Sequence, residues 1–192
     1  VARYYREIFL VGFSLGGNLT LKYLGEGNVH PAVKKAVVFS VPIDLHTSCI
    51  EISKPGNWVY SRRFLKALKE KIRSKAERRN DLSVEGMHDV KTLLDFDDKF
   101  TGPIHGFEGA IDYYTKCSSI HFIDKIETPT LVVNALNDPF LGENCFPRDK
   151  FKNHAWVNFE FPEHGGHVGF AMFGKKGLYW SEMRALSFIL DK

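Results

Sequence analysis

Nowhere in the 192 residues does a run of about 18 apolar residues occur, the length a helix needs to cross a bilayer, so no membrane span is expected. Cysteine is scarce: Cys49, Cys117 and Cys145 are odd in number, far apart, and form no CxxC pair. That leaves no pattern for a zinc knuckle or a dithiol redox centre, and points to reduced thiols in a cytoplasmic compartment. The formal net charge of +3 is too small to imply a nucleic-acid partner. There is no initiating Met and no signal peptide. Because Val1–Asn18 already runs through a strand, these residues are expected to belong to a longer protein, and the missing signal says nothing of its destination. Internal repeats and low-complexity tracts are also lacking.

What is there is the composition of a soluble globular enzyme, 44% hydrophobic and 14% aromatic, with enough length for one well-buried core. Four short apolar runs stand out: Ile8–Phe13, Ala36–Val41, Thr130–Leu136 and Trp156–Phe161. The first three lack polar alternation, which predicts parallel strands covered on both faces. The fourth alternates, as a strand near a sheet edge does. A helix is predicted over Asn18–Leu24, closed by Gly25 and Gly27. Another is predicted over Gly177–Leu190, with Leu178, Met183, Leu186 and Ile189/Leu190 on its apolar face. Strand, helix, strand, long insert, strand, loop, strand, helix is the α/β pattern, a mostly parallel sheet flanked by helices.

The insert, residues 44–128, holds a strongly helical stretch, Tyr60–Arg79, where Phe64, Leu68 and Ile72 share a face. Within it, Arg62 through Arg79 sets nine Lys and Arg against two Glu, a local balance of +7. Such a basic amphipathic helix suits a membrane surface or an anionic substrate; the plainer reading, a solvated helix face, is preferred.

Gly12-Phe13-Ser14-Leu15-Gly16 matches G-x-S-x-G, and its context carries more weight than the string. A strand runs into it and a helix follows, which is a nucleophile elbow: small residues two positions either side let the serine sit on a tight turn. The turn pushes Ser14 Oγ out at the sheet's C-terminal edge and aims the Leu15 backbone N–H at a developing oxyanion. A serine needs a base, and the base needs an orienting carboxylate. In this fold the order is Ser, acid, His, each after a later strand. Asp138 follows Thr130–Leu136 and is the candidate acid; Asp44, just after Ala36–Val41, is the rival. For the base, the loop Glu163–Phe170 offers His164 and His167, with glycines that let it fold back sharply. His167 is the better placed; His-x-x-His without further ligands is no metal signature. His105-Gly106-Phe107-Glu108-Gly109 imitates an oxyanion-loop motif but lies downstream of the elbow, and is read as lid structure.

Taken in order, Gly12–Asn18, Ser40–Leu45, Phe96–Asp98 with Gly106-Phe107 and Asp112–Tyr114, Asn137–Phe140, and Gly165–Phe170 resemble the YheT-like α/β hydrolases. That group is related to medium-chain alcohol acyltransferases and to lipid hydrolases. The resemblance covers nearly the whole chain. It implies hydrolysis of small-molecule acyl esters without cofactor or metal, with Ser14, Asp138 and His167 in the catalytic positions and residues 44–128 as a cap over the acyl pocket. It also implies strands before the elbow, with a second oxyanion donor, that this chain lacks; one such donor is worth about 10²–10³ in rate. Strand 8–13 is therefore expected to bare an edge open to pairing. A serine esterase is the leading expectation. An acyltransferase or thioesterase would use the same residues, and a catalytically silent fragment or interaction module is the third reading.

Overall fold

The computed structural model describes residues 3–79, 81–171 and 177–191. Strands β1 (Ile8–Phe13), β2 (Val33–Phe39), β3 (Thr130–Val133) and β4 (Val157–Glu160) form one parallel sheet in the order β1-β2-β3-β4. Parallel neighbours need crossovers. Helix α1 (Leu15–Gly25) supplies the first, and an insert whose regular elements among the described residues are all helical the second. The insert comprises α2 (Leu45–Ser53), a 3-10 turn (Pro55–Asn57), α3 (Trp58–Ala76), α4 (Leu93–Phe96), a π-helical turn (Asp97–Thr101), α5 (Gly102–Ile104), α6 (Ala110–Cys117) and two more 3-10 turns. Helix α7 (Trp180–Leu190) closes the chain. The α/β-hydrolase architecture expected from the pattern is present, and no described helix is long and apolar enough to cross a membrane.

Two cores sandwich the sheet's centre. Leu21 and Leu24 of α1 pack with Ala36, Val38 and Val132 on one face. On the other, Val37, Phe39, Leu131 and Val133 meet Ala185 of α7, backed by Trp180, Phe188 and Ile189. Residues Ala36–Phe39 and all of β3 are buried, as continuous apolar runs predict.

Strand β1 departs from that expectation. It is the edge of the sheet among the described residues, and α7 does not reach across to it. Phe9, Val11 and Phe13 therefore lie exposed on one face, with Val11 49% accessible. An apolar strand with an open edge and an uncovered face is a site for adding another strand.

Helix α7 presents a face that shares only part of the predicted one. Ser181, Ala185, Phe188 and Ile189 turn inward, while Leu178, Leu186 and Leu190 stand in solvent. Small residues at 181 and 185 allow the closest approach to the sheet, and the Trp180 ring stacks on Phe170 at 5.6 Å, so packing overrides the apolar count. In α3 the inner stripe is Leu65, Leu68 and Ile72, closing over Met87, Val90, Phe96 and Phe100. Phe64, predicted to share that stripe, is rotated off it and packs instead against Phe140. The lysines and arginines of α3 are exposed apart from the half-buried Lys69, whose Nζ donates to Val90 O at 2.6 Å; they form a solvated helix face.

Candidate active site

The parallel registers align the strand ends: Phe13 lies opposite Phe39, Phe39 opposite Val133, and Val133 opposite Glu160. The ladder continues one residue further. Ser14 N donates to Phe39 O at 2.9 Å, Ser40 N to Val133 O at 2.8 Å, and Asn134 N to Glu160 O at 3.1 Å. Every loop leaving this edge thus starts from one row, at the C-terminal ends where open α/β sheets hold their sites.

Ser14 turns directly from β1 into α1 with φ 51° and ψ −127°, a strained conformation for a residue with a Cβ. Among the described residues the other non-glycine positions with positive φ are Ser40, Val168 and Phe170, all in the loops on this edge. Such strained residues gather at functional sites, where the surroundings over-determine them. The elbow's demand for small residues is shifted from the expected pair. A Cβ on Gly12 would lie 2.8 Å from Gly17 Cα, and one on Gly17 would lie 2.6 Å from Val41 Cγ2. Gly16 has nothing within 4 Å, so the close helix–sheet approach is made at Gly12 and Gly17. Leu15 opens α1, so its N–H has no carbonyl acceptor within the helix.

The chain brings Ser14, Asp138 and His167 together. His167 Nε2 stands 3.0 Å from Ser14 Oγ, and His167 Nδ1 stands 2.9 Å from Asp138 Oδ2 and 3.2 Å from Oδ1. Asp138 is buried, 6% accessible, and its Oδ1 also accepts the Phe140 N–H at 3.0 Å. Asp44 is placed otherwise. It caps the N-terminus of α2, accepting from Thr47 N at 3.1 Å and from Asn144 Nδ2 at 2.7 Å, and takes no part in the hydrogen bonds of His167. His164 is exposed. Residues His105–Gly109 lie within the insert, between α5 and α6. Among the described residues no group of three or more His, Cys, Asp or Glu side chains is arranged to hold a metal ion.

Three side chains that sequence reasoning passed over hold this arrangement. Asn137 Oδ1 accepts both the Gly165 N–H at 3.0 Å and the Gly166 N–H at 2.8 Å. Ser40 Oγ accepts the Val168 N–H at 3.0 Å. The two clamps grip the backbone on either side of His167, where Gly166 and Val168 both have φ 57°. The third, Phe140, packs on the imidazole itself with ring centroids 4.6 Å apart. Asn137 carried a signal, its place beside Asp138; Ser40 and Phe140 carried none that one strand-end sequence could reveal.

No profile of a known protein family matches the chain. Among characterised proteins, the candidate esterase YheT of Escherichia coli is 36% identical over 164 residues, covering 83% of this chain and 48% of that protein. A monoacylglycerol lipase of Saccharomyces cerevisiae is 30% identical over 172 residues, covering 85% and 38%. The chain therefore spans less than half the length of these relatives. Among solved structures, a serine hydrolase of Cycloclasticus zankles superposes with a TM-score of 0.54 at 20% identity, covering 100% of this chain and 68% of the other; at that identity the likeness concerns the fold. The resemblance read from the motifs thus holds: this is a chain of α/β-hydrolase fold, similar in sequence to the YheT-like esterases and the related lipases.

Proposed function

We propose that the chain carries the nucleophile, base and acid of a serine hydrolase that cleaves carboxylic esters through an acyl-enzyme. The observation that supports it most is the unbroken hydrogen-bonded line from Ser14 Oγ through His167 to the buried Asp138 carboxylate. With the imidazole proton on Nδ1 and donated to Asp138, the Nε2 lone pair faces the Ser14 hydroxyl and takes its proton as Oγ attacks the ester carbonyl. The imidazolium then returns that proton to the leaving alcohol, and water repeats the sequence to release the acid. The Leu15 N–H supplies one oxyanion donor at the positive end of α1. Cysteine competitors are weak by comparison. Burial pushes the Cys49 and Cys145 thiols up, away from the reactive thiolate. The same protonated, unpaired thiols suit a reducing, cytoplasmic setting.

A fluorophosphonate probe tests this reading, because it reacts only with a serine whose base is assembled. Labelling is expected at Ser14 by peptide mapping, abolished in Ser14→Ala and reduced at least a thousandfold in His167→Ala. A probe that leaves Ser14 unmodified would refute it. Residues 44–128 are read as the cap, since the insert reaches the base through Phe140.

The open edge of β1 is proposed to pair with a second copy of the chain, on the strength of its exposed Phe9, Val11 and Phe13. Light scattering is expected to give a mass above 21.9 kDa that falls toward the monomer in Val11→Lys, where like charges would meet across the joint. A concentration-independent monomer in the unaltered chain would remove the proposal.

A further inference from the structure

We infer that Phe140 is a positioning residue for His167, and that helix α3 sets where Phe140 stands, so that the insert governs the base through an aromatic bridge. The inference rests on His167 being the base of the proposed reaction.

Hydrogen bonds at Nδ1 and Nε2 fix an axis through the imidazole but leave the ring free to pivot about it. The loop backbone around His167 is in the left-handed region at Gly166 and Val168, and the bonds from Gly165, Gly166 and Val168 to Asn137 and Ser40 hold that backbone, not the ring. Phe140 packs on the ring itself. Its ring lies 4.6 Å from the His167 ring at 51°, and only 5% of Phe140 is accessible. Its backbone N–H meanwhile holds Asp138 Oδ1 at 3.0 Å. One residue therefore fixes both the carboxylate and the plane of the base.

Phe140 is in turn held from the insert. Tyr60 and Phe64, one turn apart on α3, meet it edge-on at 5.1 Å and 5.9 Å, with interplanar angles of 74° and 75°. A polar tie reinforces the rings. Asn57, the residue before α3, donates from Nδ2 to Pro139 O at 2.8 Å and to Glu51 O at 3.0 Å. Both α3 rings stay substantially in solvent, Tyr60 at 51% and Phe64 at 40%. Core formation therefore does not explain them, whereas contact with Phe140 does. When His167 takes the proton from Ser14, the imidazolium forms against an aromatic ring, a favourable cation–π placement.

The test pairs a spectroscopic readout with a kinetic one. Tyr60→Leu/Phe64→Leu removes the outer half of the bridge without touching His167. The His167 ring resonances are expected to shift in this double variant, and further in Phe140→Leu. Labelling of Ser14 by the fluorophosphonate should slow by about tenfold in the double variant and up to about a hundredfold in Phe140→Leu. The loss should fall on the maximal rate constant, with half-saturation nearly unchanged. Phe140→Tyr, which keeps the ring, should restore the rate. Unchanged His167 resonances and an unchanged rate in the double variant would overturn the inference. So would a Phe140→Tyr variant as slow as Phe140→Leu. If Ser14 fails to label in the unaltered chain, the hydrolase reading fails, while the resonances still report on the bridge.

Discussion

Asp138→Asn is expected to slow acylation of Ser14 by about 10⁴-fold, the loss seen when the acid of a serine protease is made neutral. The reason lies in what the amide can offer. Asp138 Oδ1 accepts from Phe140 N, and both carboxylate oxygens stand within 3.2 Å of His167 Nδ1. An asparagine that keeps its carbonyl oxygen on Phe140 turns its NH₂ toward Nδ1. The imidazole must then accept at Nδ1 and carry its proton on Nε2, facing Ser14 Oγ, where no lone pair remains to receive the hydroxyl proton. The fold and the packing of the loop are kept, so thermal stability should change little. Asp44→Ala should do the reverse. Its side chain is the N-cap of α2, bonded to Thr47 N, and its loss should lower stability by about 1 kcal/mol while acylation stays within a few-fold. Rates measured on both variants at one probe concentration decide between the two acids. Equal rates in Asp138→Asn and the unaltered chain, or a collapse in Asp44→Ala, would move the acid role off Asp138.

The two aspartates also mark how far a sequence alone reaches. Each follows an apolar run and each satisfies the order of a serine hydrolase, so motif and order left them as rivals. What separates them is distance through space: His167 lies 29 residues after Asp138 and folds back to it, whereas Asp44 turns into a helix it caps. The elbow was legible because strand, serine and helix are contiguous and each leaves a local signature. The glycine that matters beside Gly12 was not, because the contact of Gly17 with Val41 is tertiary. On α3 and α7 the sequence places Leu68, Ile72 and Ile189 on the inner face, as the structure does, but also Phe64, Leu186 and Leu190, which it does not. Apolar residues wrap around both helices, and only the neighbour chosen in the fold determines which become buried. The same limit applies to β1, whose composition is that of a covered strand while one of its faces is bare.

Asn134 is the instance with the largest consequence for stability. In sequence it interrupts nothing: Thr130–Leu136 reads as one apolar strand, and a valine at 134 would improve the pattern. In the structure the strand ends at Val133, and the wholly buried Asn134 side chain takes over as a connector. Its Oδ1 accepts the Val41 N–H at 2.7 Å, and its Nδ2 donates to Val41 O at 3.0 Å and Cys145 O at 2.9 Å. These bonds serve the Val41 backbone, which has left β2, and the Cys145 carbonyl in the loop after β3, in the interior where an orphaned amide or carbonyl costs about 1–3 kcal/mol. Asn134→Val would strand the Val41 N–H and the Cys145 carbonyl, whereas Val41 O would keep the bond it accepts from Ile43 N at 2.9 Å. The expected loss is about 3 kcal/mol, lowering Tm by roughly 6–12 °C for a domain of this size. Because Asn134 shares no hydrogen bond with Ser14, Asp138 or His167, acylation well below the melting transition should remain within a few-fold. A thermal melt of Asn134→Val beside the unaltered chain is the direct check. A Tm that is unchanged or raised would mean the strand pattern describes position 134 better than its hydrogen bonds do. A fall in Tm with the acylation rate kept would separate what holds the sheet's C-terminal edge together from the residues proposed to react on it.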